Sequence, residues 1–172
     1  PKRAAGPATL GQFGLEAAQL GLRAGSPDDQ SRALQNALIE AAKRDAPLIV
    51  SPGRYRIANV TLPAGARLLG VPGATQFMAA QTGSILLARG IKRAALVGIG
   101  LDGLDIRIAQ RTGLLSADEV LDFSLQDCEF ANAGSIGLSL NRTGGRIVGS
   151  RFRGMRESAL FSLDSRGLSV EQ

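Results

Sequence analysis

A chain of 172 residues, of which 44% are hydrophobic, is long enough for one domain with its own core. Its 22 glycines, its low aromatic content of 4% and its formal net charge of +5 indicate a turn-rich globular protein. No apolar run in the sequence is long enough to span a membrane. The absence of histidine excludes a Ser-His-Asp triad and a Cys-His pair, and it argues against a zinc site.

The N-terminus shows no signal peptide, because the chain begins Pro1-Lys2-Arg3 without a methionine or an apolar stretch. This start predicts a processed or truncated N-terminus, with residues 1–8 loosely held. The next segment predicts a short strand and then a helical turn beside the main helix. Its apolar positions are Leu10, Phe13, Leu15, Ala17 and Leu20.

A capped amphipathic helix is predicted over about residues 27–45. Ser26 is the expected N-cap, Pro27 occupies the first helical position, and Pro47 ends the helix. Its apolar face recurs at helical spacing and consists of Ala33, Leu34, Ala37, Leu38 and Ala41. Residues 48–50 then predict a buried strand, residues 51–53 a turn, and residues 54–57 an alternating strand.

This opening segment resembles the start of the pectate-lyase-like superfamily of right-handed parallel β-helix proteins. The matching residues are Asp28-Asp29, the run from Ala33 to Leu38, the strand 48–50 and Pro52-Gly53-Arg54-Tyr55-Arg56. The resemblance implies an all-β fold, a right-handed single-stranded parallel β-helix with an N-terminal capping helix. It implies no single function, since the superfamily includes lyases, hydrolases, epimerases, phage tailspikes and proteins of no known activity.

A second, more limited resemblance concerns residues 21–27, which are similar to a family of uncharacterised bacterial repeat proteins exported by the twin-arginine route. From the two resemblances we expect a periplasmic or secreted protein.

Beyond residue 54 the apolar pattern changes from helical to alternating, and it repeats. One series has separations of 29, 23 and 23 and consists of Leu86, Leu115, Leu138 and Phe161, each followed two positions later by Ala88, Ala117, Leu140 and Leu163. A second has separations of 29, 22 and 21 and consists of Leu96, Leu125, Ile147 and Leu168, the first three followed by Leu101, Phe130 and Phe152. Two series with nearly one period predict solenoid coils of 21 to 23 residues, in which like residues stack into apolar ladders.

The predicted organisation is an N-terminal cap with the first strand at residues 1–53 and β-helix coils at residues 54–172. Leucine-rich repeats share this coil length, but their Leu-x-x-Leu-x-Leu rhythm is missing. The sequence stops in the middle of a rung, which predicts further coils or self-association at the C-terminal end.

An insertion interrupts both series at the same coil, where about six extra residues lie between Asp102 and Gly113. Solenoids carry insertions in loops that often form the binding face, so this loop is the first candidate site. The alternative is a tolerated surface bulge without a ligand.

The predicted stacking also aligns polar residues on the outer surface. Gly100, Glu129 and Arg151 form one column and Asp102, Ala131 and Arg153 the next, so that Glu129 should face Arg151. An arginine here could clamp the carboxylate of an acidic sugar, and the alternative is an exposed ion pair of little energetic consequence. The predicted substrate-binding residues are Asp102, Asp105, Arg107, Arg111, Asp127, Glu129, Arg151 and Arg153.

No motif identifies catalytic residues, and whether the chain is an enzyme is left open. Cys128 alternates with Phe130, which predicts a buried thiol rather than a nucleophile. Lyases of the resembling superfamily use arginine or lysine as base and bind calcium through acidic residues. We expect no cofactor, and calcium is an alternative that no motif of this chain indicates.

Two functions follow from these observations. The first is an uncharacterised pectate-lyase-like protein that acts on or binds acidic polysaccharide, and lyase-like chemistry is expected if it is an enzyme. The second is a non-catalytic solenoid, a binding or structural module that forms the N-terminal part of a larger exported repeat protein. The positive net charge favours an anionic partner, and we expect polysaccharide rather than nucleic acid.

Overall fold

The protein is described by a computed structural model that covers residues 10, 11 and 13–172. The expectation for residues 1–8 lies outside these residues. The described residues form one α-helix, α1 (Ser31–Lys43), and a short 3-10 helix (Ala17–Leu20). The strands in chain order are β1 (Leu10–Gly11), β2 (Gly14–Glu16), β3 (Leu48–Ile49), β4 (Gly53–Ile57), β5 (Val60–Thr61), β6 (Ala66–Leu69), β7 (Thr75–Ala79), β8 (Leu86–Arg89), β9 (Arg93–Val97), β10 (Ile99–Asp102), β11 (Gly113–Asp118), β12 (Asp122–Gln126), β13 (Glu129–Ala131), β14 (Ile136–Asn141), β15 (Gly145–Val148), β16 (Arg151–Arg153), β17 (Ser158–Leu163) and β18 (Leu168–Glu171).

The strands form three sheets, and every third strand returns to the same sheet. Sheet A has the order β1-β2-β3-β6-β9-β12-β15-β18, sheet B has the order β4-β7-β10-β13-β16, and sheet C has the order β5-β8-β11-β14-β17. All pairs are parallel except β1 with β2. Five coils, each made of one strand from each sheet, are followed by β18, so the predicted parallel β-helix is confirmed.

The predicted stacking register holds through the middle coils. Leu115 lies between Leu86 and Leu138 in sheet C, and Leu125 lies between Leu96 and Ile147 in sheet A. In sheet B, Phe130 pairs with Leu101 on one side and Phe152 on the other. Their side chains fill the interior, where like residues stack along the axis.

The last rung differs from the prediction by one residue or more. Leu160, not Phe161, pairs with Leu138, so Leu163 pairs with Asn141 rather than Leu140. In sheet A, Val170 pairs with Ile147, while Leu168 pairs with Gly145. The prediction chose the larger apolar residue, whereas the alternation of strand β17 turns Phe161 outward, to the face that carries Ser139. Apolar side chains of this rung are partly buried or exposed, with Val170 at 59%.

The helix α1 packs its predicted apolar face on the first coil, and Leu34, Ala37, Leu38 and Ala41 are buried in the same cluster as the strand residues. It is shorter than predicted at both ends. Ser26 and Pro27 lie outside the helix, because Gln30 donates its backbone N–H to the carbonyl of Arg56 and residue 29 forms a parallel bridge with Arg56. The helix ends before Pro47, since Asp45 adopts a left-handed conformation with φ 49°.

The segment before the helix forms the predicted short strand and helical turn. Ala17 is buried and Leu20 is partly buried, but Phe13 is 77% exposed and is therefore not the core residue that we expected. Strand β2 pairs with β3 and so occupies the edge of β3 that faces away from β6. No helix of the described residues is long and apolar enough to cross a membrane.

Side chains and backbone groups of the cap also satisfy the first edges of sheets B and C. Gly25 and Gln30 donate their backbone N–H groups to the carbonyls of Arg54 and Arg56 in β4. The side-chain amide of Gln35 donates to the carbonyl of Thr61 at 2.8 Å and accepts from the Thr61 N–H at 2.8 Å. Gln35 thus takes the place of a neighbouring peptide group at the edge of β5.

Gln35→Ala is expected to lower the free energy of unfolding by about 1 kcal/mol, because both hydrogen bonds at the β5 edge are lost. For a domain of this size the melting temperature should fall by about 2–4 °C. Thermal unfolding followed by circular dichroism measures the change. Gln19→Ala, at an exposed position of the 3-10 helix, is the control and should leave the melting temperature unchanged. Equal shifts for the two variants would contradict the capping role.

Candidate functional site

The inserted loop is present at the predicted place. Ten residues link β10 to β11, whereas four residues link β13 to β14 and four link β16 to β17. Its start is fixed by Asp102, which accepts hydrogen bonds from the N–H of Leu104 at 2.9 Å and from the side-chain amide of Asn132 at 3.0 Å. The loop then crosses the corner of the next coil, where the N–H of Asp105 donates a hydrogen bond to the carbonyl of Asn132. The side chain of Ile106 packs against the core at the same corner.

The far end of this loop reaches the outer face of sheet C. The backbone carbonyl of Arg111 accepts a hydrogen bond from Ser139 Oγ at 3.3 Å. The Arg111 guanidinium lies 5.8 Å from the centre of the Phe161 ring. The loop therefore forms a wall along the outward side chains of β11 and β14. Sequence alone could not show this direction, because an insertion of known length can project or fold back.

A polar pocket of ≈260 Å³ lies between this wall and sheet C. Its floor is fixed by hydrogen bonds among hydroxyl groups. Ser84 Oγ donates to the carbonyl of Gly113 at 2.7 Å and lies 2.9 Å from Ser116 Oγ. The residues that line the pocket are Ser84, Leu87, Arg89, Arg111, Thr112, Ser116, Ala117, Asp118, Ser139 and Asn141.

The charges of this pocket favour an anion. Among the described residues no carboxylate lies within 4.0 Å of the guanidinium of Arg89 or Arg111. Asp118, the carboxylate within the described lining of the pocket, is already bound by Arg142 at 2.9 Å and by the amide of Asn141 at 2.8 Å. Among the described residues neither guanidinium is therefore held in an ion pair, whereas Asp118 is paired with Arg142.

Asn141, which also lines the pocket, has one side-chain atom without a hydrogen-bond partner among the described residues. Its Nδ2 donates to Asp118, and its Oδ1 is buried without a hydrogen-bond partner. A buried acceptor without a donor is unfavourable. This acceptor is enclosed by the protein itself, so it offers no contact to a ligand in the pocket.

The predicted site residues separate into three places. Arg111 lines the pocket on sheet C. Asp105 and Arg107 are exposed in the loop. The others lie on the outer face and edge of sheet B and are Asp102, Asp127, Glu129, Arg151 and Arg153.

The predicted columns of sheet B are confirmed, since Glu129 pairs with Gly100 and Arg151, and Ala131 pairs with Asp102 and Arg153. The expected contact of Glu129 with Arg151 is wrong. Glu129 instead accepts a hydrogen bond of 2.8 Å from Arg153 Nε, diagonally across the strands. This bond raises the pKa of the Arg153 guanidinium.

Sequence reasoning did not select Arg89, Ser116, Asp118, Ser139 and Asn141 as site residues. A signal for them existed, because each lies one position after an inward residue of the Leu86, Leu115 and Leu138 ladder or of its companion two residues later. The same register that aligned the apolar residues aligns their outward neighbours.

Cys128 is 2% exposed, which confirms the expectation of a buried thiol. Burial raises the pKa of this thiol to about 11. Its Sγ faces the carbonyls of Gln126 at 3.4 Å and Leu96 at 3.7 Å.

Acidic residues are dispersed over the surface. In the described part of the chain, no three of Asp, Glu, Cys and His lie close enough together to hold a metal ion. Asp102, Asp105, Asp127 and Glu129, which could have supplied oxygen ligands, therefore do not converge on a calcium site.

Comparison with known proteins gives information on the fold alone. No family model and no curated protein matches the chain. Among solved structures, the ORF18 protein of Geobacillus virus E2 is similar over 80% of this chain, with a TM-score of 0.69 and 16% identity, and the chain spans 30% of that protein. A candidate glycosyl hydrolase from Parabacteroides merdae is similar over 91% of this chain and 92% of its own length, with a TM-score of 0.53 and 12% identity.

Proposed function

We propose that the protein binds an acidic polysaccharide at the pocket on sheet C, as a pectate-lyase-like β-helix protein. The observation that carries the proposal is the pair Arg89 and Arg111, whose guanidinium groups have no carboxylate within 4.0 Å among the described residues, above a floor of serine hydroxyls. A guanidinium binds a carboxylate through two parallel hydrogen bonds. The solved neighbour named as a candidate glycosyl hydrolase supports a carbohydrate ligand.

A polysaccharide ligand implies a protein that meets the cell envelope or its surroundings. A periplasmic or secreted location is therefore part of this proposal.

Binding without hydrolysis is the form of the proposal that the pocket favours. Glycoside hydrolysis normally uses two carboxyl groups on either side of the bond that breaks. Of the residues that the structure describes, Asp118 is the one carboxylate that lines the pocket, and it is held by Arg142 and Asn141. Elimination, in which an arginine acts as base, is the alternative for an enzyme with this residue set.

Arg89→Ala and Arg111→Ala are each expected to weaken the binding of polygalacturonate or alginate oligosaccharides by about tenfold, the size of one charge-assisted hydrogen-bonded contact. Isothermal titration calorimetry measures the affinity. Arg32→Ala removes an exposed arginine of α1 and is the matched control, which should bind as the unchanged protein does. Unaltered affinity in both pocket variants would reject this site.

The same oligosaccharides distinguish binding from elimination. Ultraviolet absorbance of unsaturated products should stay constant during incubation with and without calcium. If absorbance rises with the unchanged protein but not with the Arg89→Ala or Arg111→Ala variant, the protein is a lyase and not a non-catalytic binding module.

A further inference from the structure

A second cavity lies at the corner between sheets A and B, away from the pocket on sheet C. Five residues, 70–74, link β6 to β7, whereas one residue links β9 to β10 and two residues link β12 to β13 and β15 to β16. The longer turn of the second coil overhangs the shorter turns of the later coils. The cavity beneath it measures ≈310 Å³, and its walls include Pro72, Gly73, Asp127, Glu129, Gly149 and Arg151.

Asp127 is held at this cavity by its backbone. It adopts a left-handed conformation with φ 51°, and its N–H donates to the carbonyl of Val148 at 3.0 Å. Its carboxylate lies over Gly149, since a Cβ on that glycine would stand 2.5 Å from Asp127 Oδ1. The carboxylate therefore points along the axis toward the coil that carries Arg151.

Arg151 lines the same cavity with the opposite charge. Its neighbour in the ladder, Glu129, is bound to Arg153 and is thereby neutralised. Among the described residues Arg151 has no carboxylate within 4.0 Å, and Asp127 has no cation within that distance. The Asp127 carboxylate accepts a long hydrogen bond of 3.4 Å from the side-chain amide of Gln126.

Two opposite charges thus border one cavity without forming an ion pair with each other. A purely anionic ligand would be attracted by Arg151 and repelled by Asp127. A purely cationic ligand would be attracted by Asp127 and repelled by Arg151. From this geometry we propose that the cavity binds a small zwitterion of the amino-acid type. Its ammonium group contacts Asp127 and its carboxylate contacts Arg151, while Pro72 covers its carbon atoms.

The cavity of ≈310 Å³ lies at the lower end of the range for small-molecule pockets and is large enough to admit an amino acid. Both contacts are charge-assisted hydrogen bonds, and a guanidinium can receive the carboxylate through two of them. The site is independent of the polysaccharide pocket, since the two share no lining residue.

Titration with glycine, β-alanine and 4-aminobutanoate, followed by NMR shifts of the Gly73, Gly149 and Arg151 backbone amides, tests the proposal. At least one of the three should bind about tenfold more tightly than acetate or methylammonium, because two charged contacts replace one. The preferred chain length reports the distance between the two charged groups. Equal affinity for acetate and for all three amino acids, or no binding of any of them, would overturn the proposal.

Two variants assign the contacts. Asp127→Asn keeps a residue that tolerates the left-handed conformation and should abolish the preference for the amino acid over acetate. Arg151→Gln should weaken the amino acid and acetate alike by about tenfold. Arg32→Gln, on the exposed face of α1, is the control and should leave every affinity unchanged. An amino-acid preference that survives in Asp127→Asn would show that the zwitterion is not bound in this way.

Discussion

Phe130→Ala is expected to destabilise the protein by about 3–5 kcal/mol, the range for removal of a fully buried aromatic side chain. Phe130 is 0% exposed and stacks on Phe152 with ring centroids 4.8 Å apart and planes at 8°. It lies in the ladder between Leu101 and Phe152, so its loss leaves a cavity that borders two neighbouring coils. Urea unfolding followed by circular dichroism gives the free energy of unfolding.

Phe13→Ala is the matched control for this experiment, because it removes the same side chain from a position that is 77% exposed. Its expected effect is within about 0.5 kcal/mol. Phe130→Leu keeps most of the volume and should fold even where Phe130→Ala does not, with a smaller loss of stability. If the Phe13 and Phe130 variants lose the same stability, the interior ladder does not carry the fold.

Gly134→Ala is expected to displace the inserted loop and to destabilise its attachment by about 1–3 kcal/mol, as overpacking does. A Cβ on Gly134 would stand 2.0 Å from the carbonyl oxygen of Ile106 and 2.9 Å from its carbonyl carbon. These are backbone atoms of the loop and cannot rotate away. The loop must therefore lift from the corner of the next coil.

Limited trypsin digestion measures this displacement, because Arg107 and Arg111 are exposed arginines of the loop. Cleavage there should accelerate by about tenfold or more, following the larger population of the open loop. Gly100→Ala is the matched control, since its Cβ would meet the flexible side chain of Gln76 at 3.3 Å and should be accommodated. Unchanged cleavage in Gly134→Ala would show that the loop is not seated on this glycine.

The fold could be predicted from the sequence because its repeat is written in apolar residues. Leu86, Leu115 and Leu138 lie in one ladder as expected, since a residue that must be buried has one side of the strand available to it. Prediction failed at the last rung, where the adjacent Leu160 and Phe161 both satisfied an apolar search. The apolar character of these two adjacent residues does not decide which of them points inward. The length of the turn before the strand decides it, and this turn has four residues before both β14 and β17.

The candidate site was predictable only in its location. The length of the insertion identified the loop, and Arg111 was among its predicted residues. The direction of the loop depends on anchors such as Asn132 and Ser139, which lie on other coils and carry no signal in the local sequence. Partner choice was also beyond the sequence, because Glu129 could reach either Arg151 or Arg153 and the structure selects the diagonal pair.

The connections at the corner between sheets B and C range from two to ten residues, yet the strands on either side keep their register. In a parallel β-helix each strand is positioned by its pairing with the strands of the coils above and below. The fold therefore does not depend on the length of the connection at a corner. Substitutions and insertions at such corners can accumulate while the interior stays constant. Such a scaffold can acquire a new recognition surface in one coil without a change in the packing of the other coils.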